Sequence, residues 1–331
     1  MKSFSNVNAR DPKDAAGKLQ QAAKDGKTAA IVGGGSDLLG MVKERLVTPD
    51  VLVSLKSIRG LDQVKEQRGE VVIGGLITLD ALSRDLLIRK NYNVLAEAAG
   101  HVGTPQIRNA GTLAGNVCQR PWCWYYRNGF PCFKNGGNTC FSITGENEFH
   151  AIFGGGPSFI VHPSDTAVAL VALDAKFRIV GPARERTVAA ADFFQLPTAN
   201  PARENVLAND EVLADIHLPA AKAGSRSTYT KILDREAWTH AVVSVAVTME
   251  MEGAPGSEVC KSARVVLGGV APIPWRVPKV EAMLAGKRIT PELAALAGAA
   301  AVEGARPLAK NQYKVPLTQA VVKQTLLALS A

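Results

Sequence analysis

The sequence predicts an α+β protein built from more than one lobe. Its 331 residues exceed what one ordinary core accommodates and suit two or three compact lobes. Short apolar segments with strand character alternate with segments that carry helix caps, so strands and helices should be mixed along the whole chain. The composition, with 47% hydrophobic and 21% charged residues, is that of an ordinary globular protein.

The first lobe is predicted to span residues 1–61. Asp11 is a suitable cap and Pro12 a suitable first residue for a helix with one apolar side. Strand character follows at residues 28–32 and 51–55. These elements together predict a small α+β lobe.

The second lobe is predicted to span residues 62–221 and to contain one long irregular segment. Its regular elements should be a strand at 71–74, a helix beginning after Thr78, a helix ending near Gly100, a helix at 167–173 capped by Ser164, and a strand at 175–180. Residues 118–140 are rich in Gly, Asn and aromatic residues and lack periodicity, which predicts an ordered loop shaped by ligands.

A third domain should occupy residues 222–331, after a boundary at residues 220–224. Its elements should be strands at 228–233, 242–249 and 263–268, a helix that begins at Thr290, and a helix at 316–329.

Charge and hydropathy exclude several protein classes. The net charge is +8, but lysines and arginines are scattered singly and aromatic residues make up only 6%, which argues against a nucleic-acid binder. A basic surface that meets acidic partner subunits is the alternative to a plain solvated surface. Apolar stretches end before ~18 residues, and none follows the first lysine, so we expect neither membrane insertion nor a signal peptide. A cytoplasmic protein is expected.

The first motif follows the predicted strand at 28–32 and is a candidate phosphate-binding loop. It reads Val32-Gly33-Gly34-Gly35-Ser36-Asp37-Leu38-Leu39. Consecutive glycines allow backbone N–H groups to approach an anion closely, although a plain strand-to-helix turn also explains them. A Rossmann fingerprint is excluded, because its third glycine would fall on Leu38.

The second motif, residues 104–116, reads TPQIRNAGTLAGN. Gly111 and Gly115 are small, and Thr112 and Asn116 offer hydrogen-bonding groups, as in a tight loop against a polar ligand. A structural Gly/Asn turn explains it equally well. The third motif, HPSD at residues 162–165, has a complete structural explanation, since Ser164 can cap a helix and Asp165 suits its first turn.

Four of the five cysteines, Cys118, Cys123, Cys132 and Cys140, lie within one segment, and Cys260 is distant. Clustered thiols without a signal peptide favour metal binding over disulfides, and iron–sulfur clusters are held mainly by cysteine thiolates. Zinc is the rival, although its sites usually contain paired C-x₂₋₄-C spacings and these spacings are 5, 9 and 8. Free thiols in a loop are the third interpretation.

The order of these motifs resembles that of the FAD-binding medium subunits of molybdenum hydroxylases, the family of xanthine dehydrogenase, carbon monoxide dehydrogenase and bacterial aldehyde oxidoreductases. The resemblance continues into TYTKILDREAWTHAVVSVAV and ARVVLGGVAPIPWR, and so covers nearly the whole chain. The cysteine segment is similar to that of a branch that includes 4-hydroxybenzoyl-CoA reductase and periplasmic aldehyde oxidoreductase medium subunits. That branch carries an additional 4Fe-4S cluster.

The resemblance implies a vanillyl-alcohol-oxidase-type fold, with two α+β lobes around FAD and a C-terminal α+β domain. Residues 32–39 would wrap the FAD pyrophosphate, and Thr112, Gly115 and Asn116 would form a second FAD segment. Asp165 would contact the flavin or its ribityl chain. Lys231 would lie near the isoalloxazine, where its charge would stabilise a reduced anionic flavin; without the resemblance it is an ordinary strand lysine.

For the cluster, the resemblance implies Cys123, Cys132 and Cys140 as three ligands. The family's fourth ligand position is occupied here by Ser158. We expect Cys118 to supply the fourth ligand, with Ser158 as the alternative and an incomplete or absent cluster as the third case.

The implied function is electron transfer within a heterotrimer, with no catalytic residue for substrate in this chain. Substrate would be oxidised at the molybdopterin of a large subunit, and electrons would pass through 2Fe-2S clusters of a small subunit to FAD and an external acceptor. The alternatives are a nucleotide-binding protein with a structural zinc site and a free-standing flavin oxidase. Export with a partner that carries a signal would place the complex in the periplasm instead.

Overall fold

The computed structural model describes residues 2–67, 69–222, 224–236, 238–254 and 257–330. Ala223, inside the predicted boundary at 220–224, lies outside the described residues. Helices and strands are mixed along the chain, and the strands form three separate sheets. The α+β class predicted from the sequence is confirmed.

The first sheet is parallel and lies near the amino terminus. Its region contains β1 (Ser5–Asn8), α1 (Pro12–Lys24), β2 (Ala29–Val32), α2 (Leu38–Lys43) and β3 (Val51–Ser54). The strand order is β1-β3-β2, and Asp11 caps α1 by accepting a hydrogen bond from the backbone N–H of Asp14. Because β2 is an edge strand that ends at Val32, the glycine motif begins at the carboxyl edge of this sheet.

The second sheet is antiparallel, with helices from the same part of the chain packed around it. Its strands are β4 (Val64–Gln67), β5 (Glu70–Gly74), β6 (Lys176–Val180), β7 (Glu185–Ala189) and β8 (Val212–Leu218), in the order β4-β5-β8-β6-β7. The helices are α3 (Leu79–Arg84), α4 (Leu86–Asn91), α5 (Asn93–Gly100), α6 (Pro105–Ala110), α7 (Leu113–Val117), α8 (Trp124–Arg127), α9 (Asp165–Ala172) and α10 (Ala190–Phe193).

The third sheet is antiparallel and carries the carboxyl-terminal helices. It consists of β9 (Ser225–Ile232), β10 (Val243–Glu252), β11 (Val259–Gly268) and β12 (Trp275–Arg276), in the order β12-β11-β10-β9. The helices are α11 (Pro278–Leu284), α12 (Pro291–Ala301) and α13 (Lys314–Ser330). Among the described residues, no helix is both long and apolar enough to cross a membrane.

Both faces of the third sheet are covered. Val245 and Val247 of β10 share a core with α11–α13, whereas Ala246, on the opposite face, joins the core that contains α5 and α9. Every residue of α9 is buried, and six of its eight residues, those from Ala167 onward, are apolar, as a helix inside a core requires. The second and third sheets are therefore joined through α9, whose first residue is Asp165.

The cysteine segment, residues 118–140, contains more local structure than the sequence suggested. It includes α8 and a 3₁₀ turn over Phe133–Asn135. The Asn135 amide donates to the carbonyl oxygens of Tyr126 and Phe130, at 3.0 and 2.9 Å. The segment is thus ordered in part by its own hydrogen bonds, and its short regular elements were not predicted.

Candidate functional site

Two neighbouring cavities form one cleft beside the glycine motif. The glycine cavity, of about 910 Å³, is lined by the backbone of Gly33, Gly34 and Gly35, among others. The Trp cavity, of about 940 Å³, is lined by Trp122, Trp238, His240 and Asp165, among others. The residues that line both cavities are Ser36, Asp37, Thr112, Gly115 and Gln119. The two cavities are therefore adjacent, and together they suit a long, partly polar ligand that reaches both.

Most of the residues predicted to bind a cofactor lie on this cleft. Residues 32–38 line the glycine cavity, and Asn116 and Asp165 line the Trp cavity. Leu39 departs from the prediction: its side chain is 40% exposed and packs against Gly35. Lys231 also lies off the walls of both cavities, for the reason given below.

The three glycines are required by close backbone packing as well as by space for a ligand. A Cβ on Gly34 would lie 1.8 Å from the carbonyl oxygen of Ala110, and one on Gly33 would lie 3.0 Å from Thr112 Oγ1. Gly35 has φ +79°, a left-handed conformation that favours glycine. The glycine motif and the 104–116 motif are therefore pressed together, and each forms part of the other's wall.

Hydrogen bonds fix Thr112, which caps the amino terminus of α7, and Asn116, which lies in its last turn. The Thr112 hydroxyl accepts from the backbone N–H of Gly115 at 3.3 Å and so caps the helix. The side-chain Oδ1 of Asn116 accepts from the hydroxyls of Ser164 and Thr166, each at 2.6 Å. Its amide NH₂ is the group left to meet a ligand.

Asp165 forms a buried polar cluster with two residues of β9. Its carboxylate accepts from the Tyr229 hydroxyl at 2.5 Å and from Lys231 Nζ at 2.6 Å, and Lys231 also donates to the His101 carbonyl oxygen at 2.9 Å. Burial raises the pKa of Tyr229 well above its ordinary value. Lys231 thus pairs with Asp165 and fixes the carboxylate that lines the Trp cavity, and its predicted position near a flavin stays a prediction.

The sequence reasoning missed the aromatic walls of the Trp cavity. Trp122 belongs to the cysteine segment, and Trp238 and His240 come from the loop after β9. The Trp122 and His240 rings lie 5.3 Å apart, and burial lowers the pKa of His240. The cleft is therefore closed by residues far apart in sequence, and the available signal was only that aromatic residues stood near recognised motifs.

Three of the four clustered cysteines surround a third, smaller cavity. This cysteine cavity, of about 260 Å³, is lined by Cys123, Cys132, Cys140 and Ser158, among others. The Cys123 sulfur lies 3.4 Å from His150 Nε2, and burial raises the pKa of the Cys123 thiol to about 11. All five cysteines are free thiols. Within the described ranges, no three His, Cys, Asp or Glu side chains lie close enough together to hold a metal ion.

Cys118, expected to be the fourth ligand, lines the glycine cavity and not the cysteine cavity. Its backbone N–H ends α7 by donating to the Ala114 carbonyl oxygen, so the helix directs the residue toward the glycine motif. Burial raises the pKa of its thiol to about 12. Cys118 is thus not grouped with the other three cysteines, whose cavity is lined by the hydroxyls of Ser158, Ser142 and Thr139 as well.

A buried cation stands at the cysteine cavity. Lys134 lines the cavity, and its Nζ lies 2.6 Å from Glu204 Oε1. Glu204 also pairs with Arg120 at 3.3 Å, and Arg120 lines the glycine cavity. Burial lowers the pKa of Lys134. Lys134, Glu204 and Arg120 therefore form a series of ion pairs from the cysteine cavity to the glycine cavity.

Comparisons with known proteins cover nearly the whole chain. Residues 2–221 match the model described as the FAD binding domain in molybdopterin dehydrogenase. Residues 228–329 match the model of the CO dehydrogenase flavoprotein C-terminal domain.

Individual proteins agree with these models. The chain is 32% identical to the aldehyde oxidoreductase FAD-binding subunit PaoB of Escherichia coli strain K12, over 98% of each chain. It is 28% identical to the carbon monoxide dehydrogenase medium chain of Hydrogenophaga pseudoflava, over 91% of this chain and 89% of the relative. A solved structure of the dehydrogenase from that organism, which lacks the Mo-pyranopterin moiety, superposes with a TM-score of 0.76 at 26% identity. That superposition covers 98% of this chain and 96% of the solved one.

Proposed function

The chain belongs to the family of FAD-binding medium subunits of molybdenum hydroxylases, and from this premise we propose that it binds FAD across the glycine and Trp cavities and relays electrons within such a complex. The observation that carries the proposal is the pair of adjacent cavities, one lined by a glycine-rich backbone and the other by aromatic rings. A dinucleotide that contains pyrophosphate and a tricyclic ring requires both kinds of wall.

The side chains of the cleft fit FAD in detail. Backbone N–H groups at residues 33–36 suit the pyrophosphate, since no side chain from the glycines intervenes. The Asn116 amide and the Asp165 carboxylate lie on the Trp cavity, where the ribityl chain and flavin would be held. Lys231 and Tyr229 keep Asp165 in one orientation. Trp122 and Trp238 would exclude water from the ring.

Bound FAD supplies the capacity to accept electrons and release them to an external acceptor. Substrate oxidation belongs to a large molybdopterin-binding subunit, and a small subunit with 2Fe-2S clusters connects the two, as proposed for this family. The chain is thus an oxidoreductase component of a heterotrimer. Its expected location in the cytoplasm stays a prediction, to be checked by cell fractionation.

Flavin analysis of the purified chain tests the proposal. We expect close to one FAD per chain and a typical flavin absorption spectrum, together with copurification of molybdenum when the partner subunits are coexpressed. A colourless chain that contains zinc would support a nucleotide-binding protein with a structural zinc site. Flavin without molybdenum-containing partners, together with substrate oxidation, would support a free-standing flavin oxidase.

We further propose that the cysteine cavity assembles a 4Fe-4S cluster on Cys123, Cys132 and Cys140. What supports this is the convergence of three thiols and the Ser158 hydroxyl on one cavity, beside the ammonium of Lys134. The thiols must lose protons and move closer together on assembly, because burial raises the pKa of Cys123 and the described donors are not gathered as in a formed metal site. Ser158 replaces Cys118 as the candidate for the fourth ligand.

Iron and sulfide analysis of protein prepared without oxygen tests the cluster. We expect four irons per chain, loss of iron in Cys132→Ala, and unchanged iron in Cys118→Ala. Cys260→Ala is the matched control, because Cys260 is a buried thiol outside the cysteine cavity. Ser158→Ala should lower cluster stability and Ser158→Cys should raise it. Iron lost in Cys118→Ala but retained in Ser158→Ala would restore Cys118 as the ligand, and a wild type without iron would exclude the cluster.

A further inference from the structure

Asp37, in the glycine motif, carries a negative charge where the proposed ligand has its phosphates. The residue lines both the glycine cavity and the Trp cavity. A carboxylate beside a pyrophosphate is repulsive unless a cation or several N–H donors compensate it. The partners of Asp37 therefore decide whether this loop can accept an anion.

The partners of Asp37 come from the cysteine segment. Arg127 Nη2 donates to Asp37 Oδ1 at 2.7 Å, and the backbone N–H of Arg120 donates to Asp37 Oδ2 at 3.0 Å. The ion pair is largely shielded, with 13% of the Arg127 side chain and 18% of the Asp37 side chain exposed. A shielded pair of this kind interacts more strongly than a surface pair.

Arg127 also fixes one wall of the Trp cavity. Its guanidinium carbon lies 4.2 Å from the centre of the Trp122 ring, within cation–π distance. The same side chain donates to the carbonyl oxygens of Pro121 and Arg120, the two residues before Trp122, at 2.8 and 3.0 Å. The other neighbour of Trp122 is His240, from the loop after β9.

We infer that Arg127 is a positioning residue of the FAD site: it neutralises Asp37 beside the phosphate-binding loop and holds Trp122 as a wall of the Trp cavity. This inference rests on the proposed binding of FAD. It makes the cysteine segment part of the flavin site, whether or not that segment also holds a cluster. Retention of FAD then depends on the folded cysteine segment.

A double-mutant cycle in the full chain separates this electrostatic role from a merely structural one. We expect Arg127→Gln to raise the Kd for FAD at least about tenfold, because Asp37 is then uncompensated. Asp37→Asn/Arg127→Gln should recover most of that loss, since the repelling charge is gone. Arg127→Lys, which keeps the charge, should bind FAD more tightly than Arg127→Gln. Arg84→Gln, which removes an exposed helix ion pair, is the control and should bind FAD like the wild type.

Tryptophan fluorescence provides the second readout, since it reports on the wall and not on the charge. Binding of FAD should quench less fluorescence in Trp122→Phe than in Trp124→Phe, because Trp122 lines the cavity and its neighbour Trp124 does not. A double variant as weak as Arg127→Gln, or equal quenching in the two tryptophan variants, overturns the inference. A wild-type chain that binds no FAD would instead overturn the proposed function itself.

Discussion

The ion pair of Lys231 and Asp165 is buried, and buried pairs are more sensitive to the loss of one partner than exposed pairs are. Lys231 is 1% and Asp165 5% exposed, and both are hydrogen-bonded to further groups. Removing one member of a buried pair leaves a desolvated charge, which typically costs about 3–5 kcal/mol. The main role of Lys231 is therefore to stabilise the buried carboxylate of Asp165 at the wall of the Trp cavity.

Lys231→Met should accordingly lower the free energy of unfolding by about 3 kcal/mol and weaken FAD binding. Urea unfolding of the flavin-free chain measures the first effect, and fluorescence titration with FAD the second. Lys222→Met is the control, because Lys222 belongs to an exposed pair with Glu250 that should contribute at most about 1 kcal/mol. Equal stability of the Lys231→Met and Lys222→Met chains would contradict this account.

His162 should make the protein sensitive to acid. It is buried, and burial lowers its pKa to about 3. Its Nδ1 accepts from the backbone N–H of Ser164 at 3.3 Å, so protonation there would break a bond and place a charge at the positive end of α9. In the unfolded chain His162 is protonated below pH 6.5, whereas in the folded chain it is protonated only below about pH 3. The free energy of unfolding therefore falls as the pH falls from 6.5 to 3.

The change of unfolding free energy with pH tests this residue. His162 should contribute up to about 1.4 kcal/mol for each pH unit between 6.5 and 3. His162→Gln should be less stable at pH 7.5, since the packing with Phe194 is altered, but it should lose less stability on acidification than the wild type. Parallel pH profiles for the two chains would show that other groups cause the acid sensitivity.

Among the elements, the contact between the glycine motif and α6 is the one that builds the cleft. A Cβ at Gly34 would overlap the Ala110 carbonyl oxygen, which belongs to the last residue of α6 and has backbone neighbours that cannot rotate away. Gly34→Ala should therefore separate the two motifs, lower the thermal midpoint and reduce FAD affinity at least several-fold. Flavin occupancy after gel filtration, together with a thermal scan, measures both effects.

Gly40 offers a control six residues away. It lies inside α2, and a Cβ there would meet nothing within 4 Å. Gly40→Ala should leave FAD affinity unchanged and stabilise the chain by roughly 0.5–1 kcal/mol, because alanine loses less backbone entropy in a helix. If Gly34→Ala and Gly40→Ala behaved alike, the close approach of the two motifs would not matter for the site.

The sequence predicted several helices whose first residues include a capping side chain or a proline. Asp11 with Pro12, Thr290 with Pro291, and Ser164 each cap the helix they were predicted to begin. Strand β8 was not predicted, because only the neighbouring strands β5 and β6 make residues 212–218 a central strand.

The same limit explains what was missed in the site. Residues in continuous motifs, such as the three glycines and Thr112, could be named from the sequence. The position of Cys118 is set by the course of α7, and that of Trp122 by Arg127 and His240. These are tertiary properties without a local pattern. The domain boundaries at residues 61 and 221 and the individual binding roles stay predictions.

At the scale of the whole molecule, the region of the third sheet completes the cleft that is proposed to bind FAD. Helix α9 belongs by sequence to the second lobe but packs against β10 and β11, and the loop after β9 supplies Trp238 and His240 to the Trp cavity. The Thr325 hydroxyl of α13 reaches Thr230 of β9 at 2.9 Å, which ties the last helix to the same strand. The cleft therefore depends on the carboxyl-terminal domain as much as on the glycine motif.

This arrangement predicts how activity divides between the chain and its partners. The polar groups of the cleft are hydrogen-bonded to one another: Asp165 to Lys231 and Tyr229, and Asp37 to Arg127. The purified chain should bind FAD and show at most slow flavin turnover with NADH and a dye, yet oxidise aldehydes or purines at no measurable rate. Coexpression with the molybdopterin-binding and 2Fe-2S subunits should restore substrate oxidation. In that complex, Gly34→Ala should block electron transfer to the acceptor, while substrate still reduces the iron–sulfur centres. Stopped-flow spectra that follow flavin and iron–sulfur absorbance separately measure this division, and rapid substrate oxidation by the isolated chain would refute the relay role.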